Sequence, residues 1–262
     1  MKKRKEQKMK RNKKTLAVIL AAVMLVPMCA FGASAAKRPN YLLLGDSIAY
    51  GQGIINSKDA CYGRIVANTN NYNYANDAVS GTTSGALMVM LKDSEIIKDV
   101  KKADIITIST GGNDFLTRNW VGMGLKGIAT GNYSDLDPIV AKYKKNLTSI
   151  IKTIKKINPK ATVIVQTIYN PHNDIWTNAF QQGVDRMNAA VKAVRKATGG
   201  FEIADVGAVI SGHPEYIAVD TIHPNAKGNI AIAEYMLKFL KKLGLGTKTV
   251  PVIKVQPVSI LK

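Results

Sequence analysis

The sequence predicts an α/β fold in which a mostly parallel β-sheet is covered by helices on both faces. Two observations indicate this class. Short apolar runs recur along the chain and end at turn-forming residues, and the longer segments between them repeat apolar residues every three or four positions. No internal repeat, and no linker rich in Pro, Gly or Ser, divides the sequence after residue 35, so we expect a single domain over residues 36–243, followed by a C-terminal tail.

The first 35 residues have the pattern of a secretory signal peptide. Residues 1–14 contain nine Lys or Arg and one acid. An uncharged, mostly apolar run follows over residues 15–32, and it leads into Ala33-Ser34-Ala35. A basic leader, an apolar stretch and a small-x-small exit are typical of cleavable export signals. We therefore predict cleavage after Ala35 and a secreted, extracellular protein, with association to the cell wall as a variant of that location.

Two other fates of this leader are disfavoured. A retained membrane anchor is disfavoured because the apolar run is interrupted by Pro27 and is short beside the roughly 20 residues of a membrane-spanning helix. A lipid anchor on Cys29 is disfavoured because Val26-Pro27-Met28 is a poor match to the small residues expected before a lipidated cysteine.

Charge and cysteine content restrict the function classes. The leader holds +8 of the formal net charge of +19, so +11 belongs to residues 36–262, where Cys61 is the only cysteine. One cysteine forms no internal disulfide, so the domain must depend on its apolar core. The dispersed lysines are typical of solvated helix faces, and loose association with an anionic cell wall or membrane surface is the alternative. No nucleic-acid partner is expected, because no recognition motif accompanies the charge.

The strands and helices follow from hydrophobic periodicity. Tyr41–Leu44 is a continuous apolar run stopped by Gly45, which is typical of a strand buried on both faces. Residues 103–109 and 161–167 are rich in β-branched residues, and residues 201–204 are a shorter strand candidate. Three stretches carry a single apolar stripe at helical spacing, which predicts amphipathic helices. The stripes are Tyr143, Leu147, Ile150, Ile154 and Ile157; Phe180, Val184, Met187, Val191 and Val194; and Ile230, Ala233, Leu237 and Leu240.

Two segments have no clear period. Residues 115–135 contain four glycines, which favours a long loop or insertion. Together with residues 169–176, this loop is expected to wall the substrate pocket, and the two segments hold both tryptophans, Trp120 and Trp176. Residues 244–262 contain two prolines and alternating valines, which suits either a trailing edge strand or a loosely attached tail.

Chemically useful residues follow the predicted strands. In an open parallel sheet, ligands bind beyond the carboxyl ends of the strands. Gly45-Asp46-Ser47 follows the first strand, and Gly111-Gly112-Asn113-Asp114 follows the next. Asp220-Thr221-Ile222-His223-Pro224 precedes the last helix, which is expected to begin near Asn225. A serine, an asparagine, an aspartate and a histidine are therefore predicted to meet on one rim.

Ser47 is the candidate nucleophile and His223 its candidate base. A serine hydroxyl needs a base to accept its proton. Of the three histidines, only His223 has an acid three residues earlier, and Asp220 can accept a hydrogen bond from one ring nitrogen and leave the other for the serine. Helix capping is the alternative role for Ser47 and Asp220. His172 and His213, each beside a proline, are the fallback bases.

Attack on an ester carbonyl also needs hydrogen-bond donors for the developing oxyanion. Asn113 offers a side-chain amide, and Gly81 offers a backbone N–H before a helix that we expect from about Ser84. The alternative is that Asn113 is a turn former and that Gly81 serves only the backbone conformation. Asp46 is interpreted as structural, bonding the backbone of the turn, because a carboxylate beside a nucleophile would not help it to lose a proton.

Taken together, these segments resemble the SGNH hydrolases, also called GDSL esterases and lipases. Gly45-Asp46-Ser47 resembles the first sequence block of that family, and Gly81 falls where the second block has its glycine. Residues 111–114 resemble the third block, and residues 220–224 the fifth, an Asp-x-x-His pair. The four segments occur in the order of the family. The Gly-x-Ser-x-Gly elbow of the α/β-hydrolases is absent.

The resemblance implies a flavodoxin-like, three-layer α/β/α fold around a parallel sheet of roughly five strands. It also implies a hydrolase of carboxylic esters that needs neither metal nor cofactor and forms an acyl-enzyme at Ser47. Asp220 would orient His223, and the oxyanion hole would consist of the Ser47 and Gly81 N–H groups and the Asn113 side chain.

The substrate is expected to be a lipid-like or short acyl ester. The alternative is an O-acetyl esterase that acts on a cell-wall or extracellular polysaccharide. A hypothesis from another class is a non-catalytic cell-surface binding protein with an idle triad. It is disfavoured because Ser47, Gly81, Asn113, Asp220 and His223 are all intact.

Overall fold

The computed structural model describes residues 37–116 and 119–260. The predicted signal peptide, including Cys29, lies outside the described residues. Within the two ranges, no helix has the length and the apolar content needed to cross a membrane.

One parallel sheet organises the described residues, and it confirms the predicted fold class. Its strands are β1 (Asn40–Gly45), β2 (Asn73–Asn76), β3 (Ile105–Ser109), β4 (Thr162–Gln166) and β5 (Glu202–Ala204). They lie in the order β2-β1-β3-β4-β5, and every neighbouring pair is parallel. This order is that of the flavodoxin-like folds, which bind ligands where the winding direction reverses, between β1 and β3. Four of these strands coincide with the predicted apolar runs.

The fifth strand, β2, was missed in the sequence because it is polar. It reads Asn-Tyr-Ala-Asn and is nowhere fully buried. It lies at the edge of the sheet, where it pairs only with β1, in the register Asn40 opposite Asn73. An edge strand is held by backbone hydrogen bonds on one side and needs no apolar run.

Helices cover both faces of the sheet. In the described part of the chain they are α1 (Ser47–Tyr50), α2 (Ser57–Ala60), α3 (Tyr62–Asn70), α4 (Ser84–Met90), α5 (Ser94–Lys102), α6 (Gly112–Leu116), α7 (Trp120–Thr130), α8 (Asp137–Ile157), α9 (Thr177–Thr198), α10 (Val206–Ile210) and α11 (Ala226–Lys242). Short 3-10 turns lie at Ser134–Leu136 and Pro214–Tyr216. The three predicted apolar stripes lie on α8, α9 and α11, and the helix expected from about Ser84 is α4.

The alternation of β1 side chains divides the core into two layers. Leu42 and Leu44 pack in one apolar cluster with residues of α4, α8 and α9. Tyr41 and Leu43 point to the opposite face and pack with residues of α3 and α11. Side chains of a strand point alternately to the two faces, so a wholly apolar run such as β1 is required when both faces are buried.

The expected loop over residues 115–135 is wrong in its centre, because α7 forms there. The Asn119 side chain caps this helix by accepting from the Gly122 N–H at 3.1 Å. A Cβ at Gly127 would lie 2.1 Å from the Tyr133 ring, and one at Gly124 would lie 3.4 Å from the Trp176 ring. These glycines allow close packing against neighbouring rings, and their lack of side chains hides the helical period in the sequence.

The C-terminal residues 244–260, here called the C-terminal strap, form neither an extended edge strand nor a loose tail. The Leu245 carbonyl accepts a hydrogen bond from the Tyr72 hydroxyl. Further on, the Val252 N–H donates to Thr69 Oγ1 at 2.9 Å. An isolated antiparallel bridge joins Ser259 to Ile54. The strap is therefore bonded to the domain along its length.

Candidate active site

Ser47 is presented by a tight turn at the end of β1. Gly45 has φ +121°, and a Cβ there would lie 1.8 Å from the Ser109 carbonyl oxygen, so the turn requires glycine. Asp46 caps α1 by accepting from the Ile48 N–H at 3.1 Å. Ser47 is the first residue of α1 and is 7% exposed.

Asp46 bonds the turn, as predicted, and it also reaches β3. Its Oδ1 accepts a hydrogen bond from Ser109 Oγ at 2.6 Å, and Ser109 Oγ in turn accepts from the Ala49 N–H at 3.1 Å. Burial raises the pKa of the Asp46 carboxyl, and the hydrogen bonds from Ser109 and Ile48 oppose that shift. The sequence predicts Ser109 only as the end of a strand and not as a partner of Asp46. Its place at the carboxyl end of a strand was the available signal.

His223 lies on the other side of Ser47 in a compact turn. Asp220 Oδ1 accepts from the Ile222 N–H at 3.1 Å and the His223 N–H at 2.9 Å, while Thr221 takes a left-handed φ of +65°. Asp220 Oδ2 lies 2.8 Å from His223 Nδ1. His223 Nε2 lies 2.8 Å from Ser47 Oγ. The three side chains form a continuous hydrogen-bonded chain from carboxylate to hydroxyl.

Hydrogen bonds determine the charge state of Asp220. Burial by itself raises the pKa of a carboxyl group. The N–H groups of His223 and Ile222 and the His223 imidazole outweigh that effect and hold the pKa of Asp220 below its ordinary value. The carboxylate therefore stays ionised at neutral pH and favours the His223 tautomer that carries its proton on Nδ1.

Two residues hold the His223 turn in place through bonds that the sequence does not predict. The Tyr169 hydroxyl donates to the Ile222 carbonyl at 2.8 Å. The buried Asn229 side chain donates to the Pro224 carbonyl at 2.9 Å and accepts from the Tyr62 N–H at 3.0 Å. Tyr169 follows β4, so its position on the rim was a usable signal. Asn229 lies on the buried side of α11, next to the apolar stripe that begins at Ile230, and nothing local in the sequence distinguishes it.

Asn113 contacts Thr82, the residue that follows Gly81. Asn113 Nδ2 donates to the Thr82 carbonyl at 3.2 Å, which holds the amide against the turn that contains Gly81. Gly81 has φ +80°, and a Cβ there would meet nothing within 4 Å. Asn113 lines the same pocket as Ser47 and His223, whereas Gly81 is not among the residues that line it.

The two fallback histidines lie elsewhere. His172 Nδ1 is 3.3 Å from Asp174 Oδ2, and the His172 ring packs 4.8 Å from the ring of Phe180. His213 Nδ1 is 2.9 Å from Glu215 Oε1. Neither histidine lines the pocket that contains Ser47. The structure thus brings Ser47 to His223 and to no other described histidine.

The pocket beside Ser47 encloses about 710 Å³ of empty space, including its open mouth. Its apolar wall comes from several elements: Leu116, Ile168, Pro171, Phe180 and Val206. The two segments expected to wall the pocket both contribute to it, through Leu116 and through Tyr169 and Pro171, but neither tryptophan lines it. Trp120 packs behind Phe180 with ring centroids 5.5 Å apart, and Trp176 packs against Trp120 at 5.4 Å.

The described residues contain no group of three or more His, Cys, Asp or Glu side chains that could hold a metal ion. Cys61 is buried between α2 and α3, with its Sγ 3.2 Å from the Tyr74 hydroxyl.

Comparison with known proteins identifies relatives of the chain. The sequence model of the GDSL-like lipase/acylhydrolase family matches residues 43–230. The spore germination lipase LipC of Bacillus licheniformis is 26% identical over 167 residues, which are 60% of this chain and 73% of LipC. The uncharacterized protein YpmR of Bacillus subtilis is 28% identical over 178 residues, which are 65% of this chain and 67% of YpmR.

A solved structure has the same fold. The lipase Lip_vut3 from a goat rumen metagenome superimposes with a TM-score of 0.64 at 24% identity, covering 79% of this chain and 98% of that lipase. The match to the family spans most of the chain and includes Ser47, Gly81, Asn113, Asp220 and His223. The chain therefore belongs to the GDSL-like lipase/acylhydrolase family and is a carboxylic ester hydrolase.

Proposed function

We propose that this chain is a secreted serine hydrolase that cleaves lipid-like or short acyl esters through an acyl-enzyme at Ser47. The observation that supports this most directly is the 2.8 Å contact between Ser47 Oγ and His223 Nε2, with Asp220 2.8 Å from the other ring nitrogen. A hydroxyl, an imidazole and a carboxylate in this order are the elements of nucleophilic ester hydrolysis.

In the first half of the reaction, Ser47 Oγ attacks the ester carbonyl carbon while His223 Nε2 takes the hydroxyl proton. The carbonyl oxygen becomes an oxyanion, for which we assign the Ser47 and Gly81 N–H groups and the Asn113 amide as donors. The tetrahedral intermediate collapses by breaking the bond to the alcohol oxygen. The departing alcohol receives its proton from His223 Nε2, which leaves the acyl group on Ser47.

In the second half, His223 Nε2 takes a proton from water as the water oxygen attacks the acyl carbon. Collapse of the second tetrahedral intermediate releases the carboxylic acid and returns the proton to Ser47 Oγ. Asp220 stays ionised throughout and stabilises the imidazolium form of His223.

A fluorophosphonate probe tests this assignment, because it reacts covalently with activated serines. We expect one label per molecule of wild type, located at Ser47 by peptide mapping, and none on Ser47→Ala. Ser134→Ala, at an exposed serine of the 3-10 turn, is the matched control and should label as wild type does. A wild type that is inert to the probe and to aryl esters would favour the binding-protein hypothesis.

The substrate preference is inferred from the pocket wall. Leu116, Ile168 and Phe180 present apolar surface next to Ser47, and burial of an apolar chain there contributes about 0.8 kcal/mol per methylene. We therefore expect kcat/KM on aryl esters to rise from acetyl to butyryl and to octanoyl.

An O-acetyl esterase is the second candidate. Its support is the likeness to the acetylxylan esterase Axe2 from Geobacillus stearothermophilus, with a TM-score of 0.59 at 20% identity over 81% of this chain and 96% of Axe2. Acetylated xylan run beside the aryl esters separates the two hypotheses. Faster deacetylation of the glycan, together with a falling rate from acetyl to octanoyl esters, would select the second.

Export is proposed from residues 1–35 alone. Expression of the full chain in a secreting host should yield extracellular protein whose intact mass and N-terminal sequence begin at Ala36. Protein that stays with the cells and keeps its leader would indicate an uncleaved anchor instead.

A further inference from the structure

We infer that the C-terminal strap is a positioning element for catalysis, in which Ser259 joins the loop that follows Ser47 to the turn that carries His223. This inference rests on the proposed function of Ser47 and His223. The strap lies beyond residues 43–230, the part of the chain that matches the family.

The first contact is between the strap and the loop Gly51–Asn56. The Ile55 N–H donates to the Val258 carbonyl at 2.8 Å, and the Ile260 N–H donates to the Gly53 carbonyl at 3.1 Å. Asn56 adds two side-chain bonds, accepting from the Val258 N–H at 3.0 Å and donating to the Gln256 carbonyl at 2.9 Å. Four hydrogen bonds therefore hold the strap to this loop.

The second contact is between the strap and the first residue of α11. Ser259 Oγ accepts from the Ala226 N–H at 3.1 Å, so a side chain far away in sequence satisfies one of the free N–H groups at this helix start. The Asn225 cap satisfies another, the N–H of Gly228, at 3.0 Å. Ala226 is three residues from His223. Ser259 thus holds the start of the helix that follows the His223 turn.

The loop and the turn also touch each other under the strap. A Cβ on Gly53 would lie 2.4 Å from the Pro224 carbonyl oxygen and 3.1 Å from His223 Cβ. Gly53 has φ +104°. On its other side the loop is tied to the nucleophile, because the Ser47 carbonyl accepts from the N–H groups of Gly51 at 3.0 Å and Gln52 at 2.9 Å.

These contacts fix the position of the Ser47 hydroxyl relative to the His223 imidazole. The Ser47 carbonyl is bonded to the start of the loop, and Gly53 lies against the Pro224 carbonyl and the His223 Cβ. The strap bonds both the loop and the first residue of α11. A displacement of about 1 Å between catalytic groups can cost about 10²-fold in rate. Loss of the strap should therefore lower kcat more strongly than it weakens substrate binding.

The test compares Ser259→Ala, Ser259→Thr and a deletion of residues 257–262 in the otherwise complete chain. We expect kcat on a butyryl aryl ester to fall about tenfold in Ser259→Ala and up to about 10²-fold in the deletion, with KM changed less than about threefold. Ser259→Thr keeps the hydroxyl and should restore most of the rate. Lys254→Ala, at an exposed strap residue, is the control and should match wild type.

Titration with the fluorophosphonate probe counts the competent sites, so kcat is expressed per folded active site. If the deletion does not fold, the pair Ser259→Ala and Ser259→Thr decides. Wild-type kcat per site in Ser259→Ala, or equal loss in Ser259→Ala and Ser259→Thr, overturns the positioning role while the proposed esterase stands. A wild type that neither labels nor turns over esters overturns both.

Discussion

At the scale of single residues, the candidate active site depends on side chains whose polar atoms are bonded to backbone. Asp220 accepts from two N–H groups of its own turn before it reaches His223. In the turn that carries Ser47, Asp46 accepts from the Ile48 N–H, and Ser109 accepts from the Ala49 N–H. Such bonds fix the geometry before substrate arrives, so that little reorganisation is left for the reaction itself.

Asp220→Asn should test the orienting role. The amide keeps the size of the side chain but lacks the negative charge that selects the His223 tautomer and stabilises its protonated form. We therefore expect kcat to fall by about 10⁴-fold with the fold retained. Steady-state rates and circular dichroism measure the two effects.

Glu215→Gln is the matched control for this change, because Glu215 forms a similar 2.9 Å pair with His213 outside the pocket. It should leave kcat unchanged. An Asp220→Asn enzyme within about tenfold of wild type would contradict the assignment of Asp220 as the orienting group.

Asp77 gives a pH dependence to stability. Burial, together with the nearby charges of Asp99 and Asp93, raises the pKa of Asp77 to about 6. Because the folded state holds this proton more tightly than the unfolded chain, the ionised carboxylate destabilises the fold. The loss begins as pH rises above the ordinary value of 3.8 and is complete above about 6.

Asp77→Asn should therefore raise the unfolding temperature at pH 8 and change it much less at pH 4. Solvent screening of this partly exposed group reduces the effect to about 1 kcal/mol, which is roughly 2–4 °C for a domain of this size. Asp59→Asn, at an exposed carboxylate, is the control. Equal shifts of Asp77→Asn at both pH values would rule out titration as the cause.

At the scale of elements, the junction between β1 and α1 is the most constrained part of the site. Gly45 lies against the backbone of β3. The turn that it permits places Ser47 at the rim formed by the carboxyl ends of the strands. The β1–β3 pair also marks the point where the winding of the sheet reverses. Strand pairing and nucleophile placement therefore depend on the same residue.

Gly45→Ala should prevent native folding, because its Cβ would lie 1.8 Å from a backbone oxygen that cannot move without separating β1 from β3. Gly131→Ala is a matched comparison. Gly131 also has a positive φ, +71°, but a Cβ there meets nothing within 4 Å, so the cost is the backbone strain of about 1–2 kcal/mol. Soluble expression and thermal unfolding measure both. Similar stability of the two variants would show that the close approach at Gly45 is not limiting.

At the scale of the whole molecule, we propose that the net charge attracts the protein to anionic surfaces, the alternative to a merely solvated set of helix faces. Residues 36–262, which would remain if the proposed leader is cleaved, carry a formal net charge of +11. A basic protein outside the cell meets anionic polymers and lipid headgroups, and long-range attraction to them depends on ionic strength.

The mature protein should bind anionic phospholipid vesicles at low salt. It should be released at about 1 M salt, where the screening length is about 3 Å. Cosedimentation measures the bound fraction, and neutral vesicles are the control. Retention that is independent of salt, or equal on neutral vesicles, would argue against an electrostatic surface.

Much of the fold could be predicted because burial leaves a local pattern. β1, β3, β4 and β5 lie at apolar runs, and the stripes of α8, α9 and α11 face the core. The candidate site could be located for a related reason. In a parallel sheet the residues after each strand share one rim, so Ser47 and Asn113 were expected on the same edge from their order alone.

The fold class, the family to which the motifs point and the side chains that meet at the rim can all be read from the order of the residues. Strand β2, helix α7, the course of the strap and the contacts of Ser109, Asn229 and Ser259 become apparent only in the folded chain. The spacing of apolar residues indicates which face of a helix or strand is buried, and this pattern is visible within a single element. Other features depend on partners that only folding brings close. These are the pairing of the edge strand, the close approach of backbone at glycines, and hydrogen bonds between residues about 30 to 200 positions apart in the sequence.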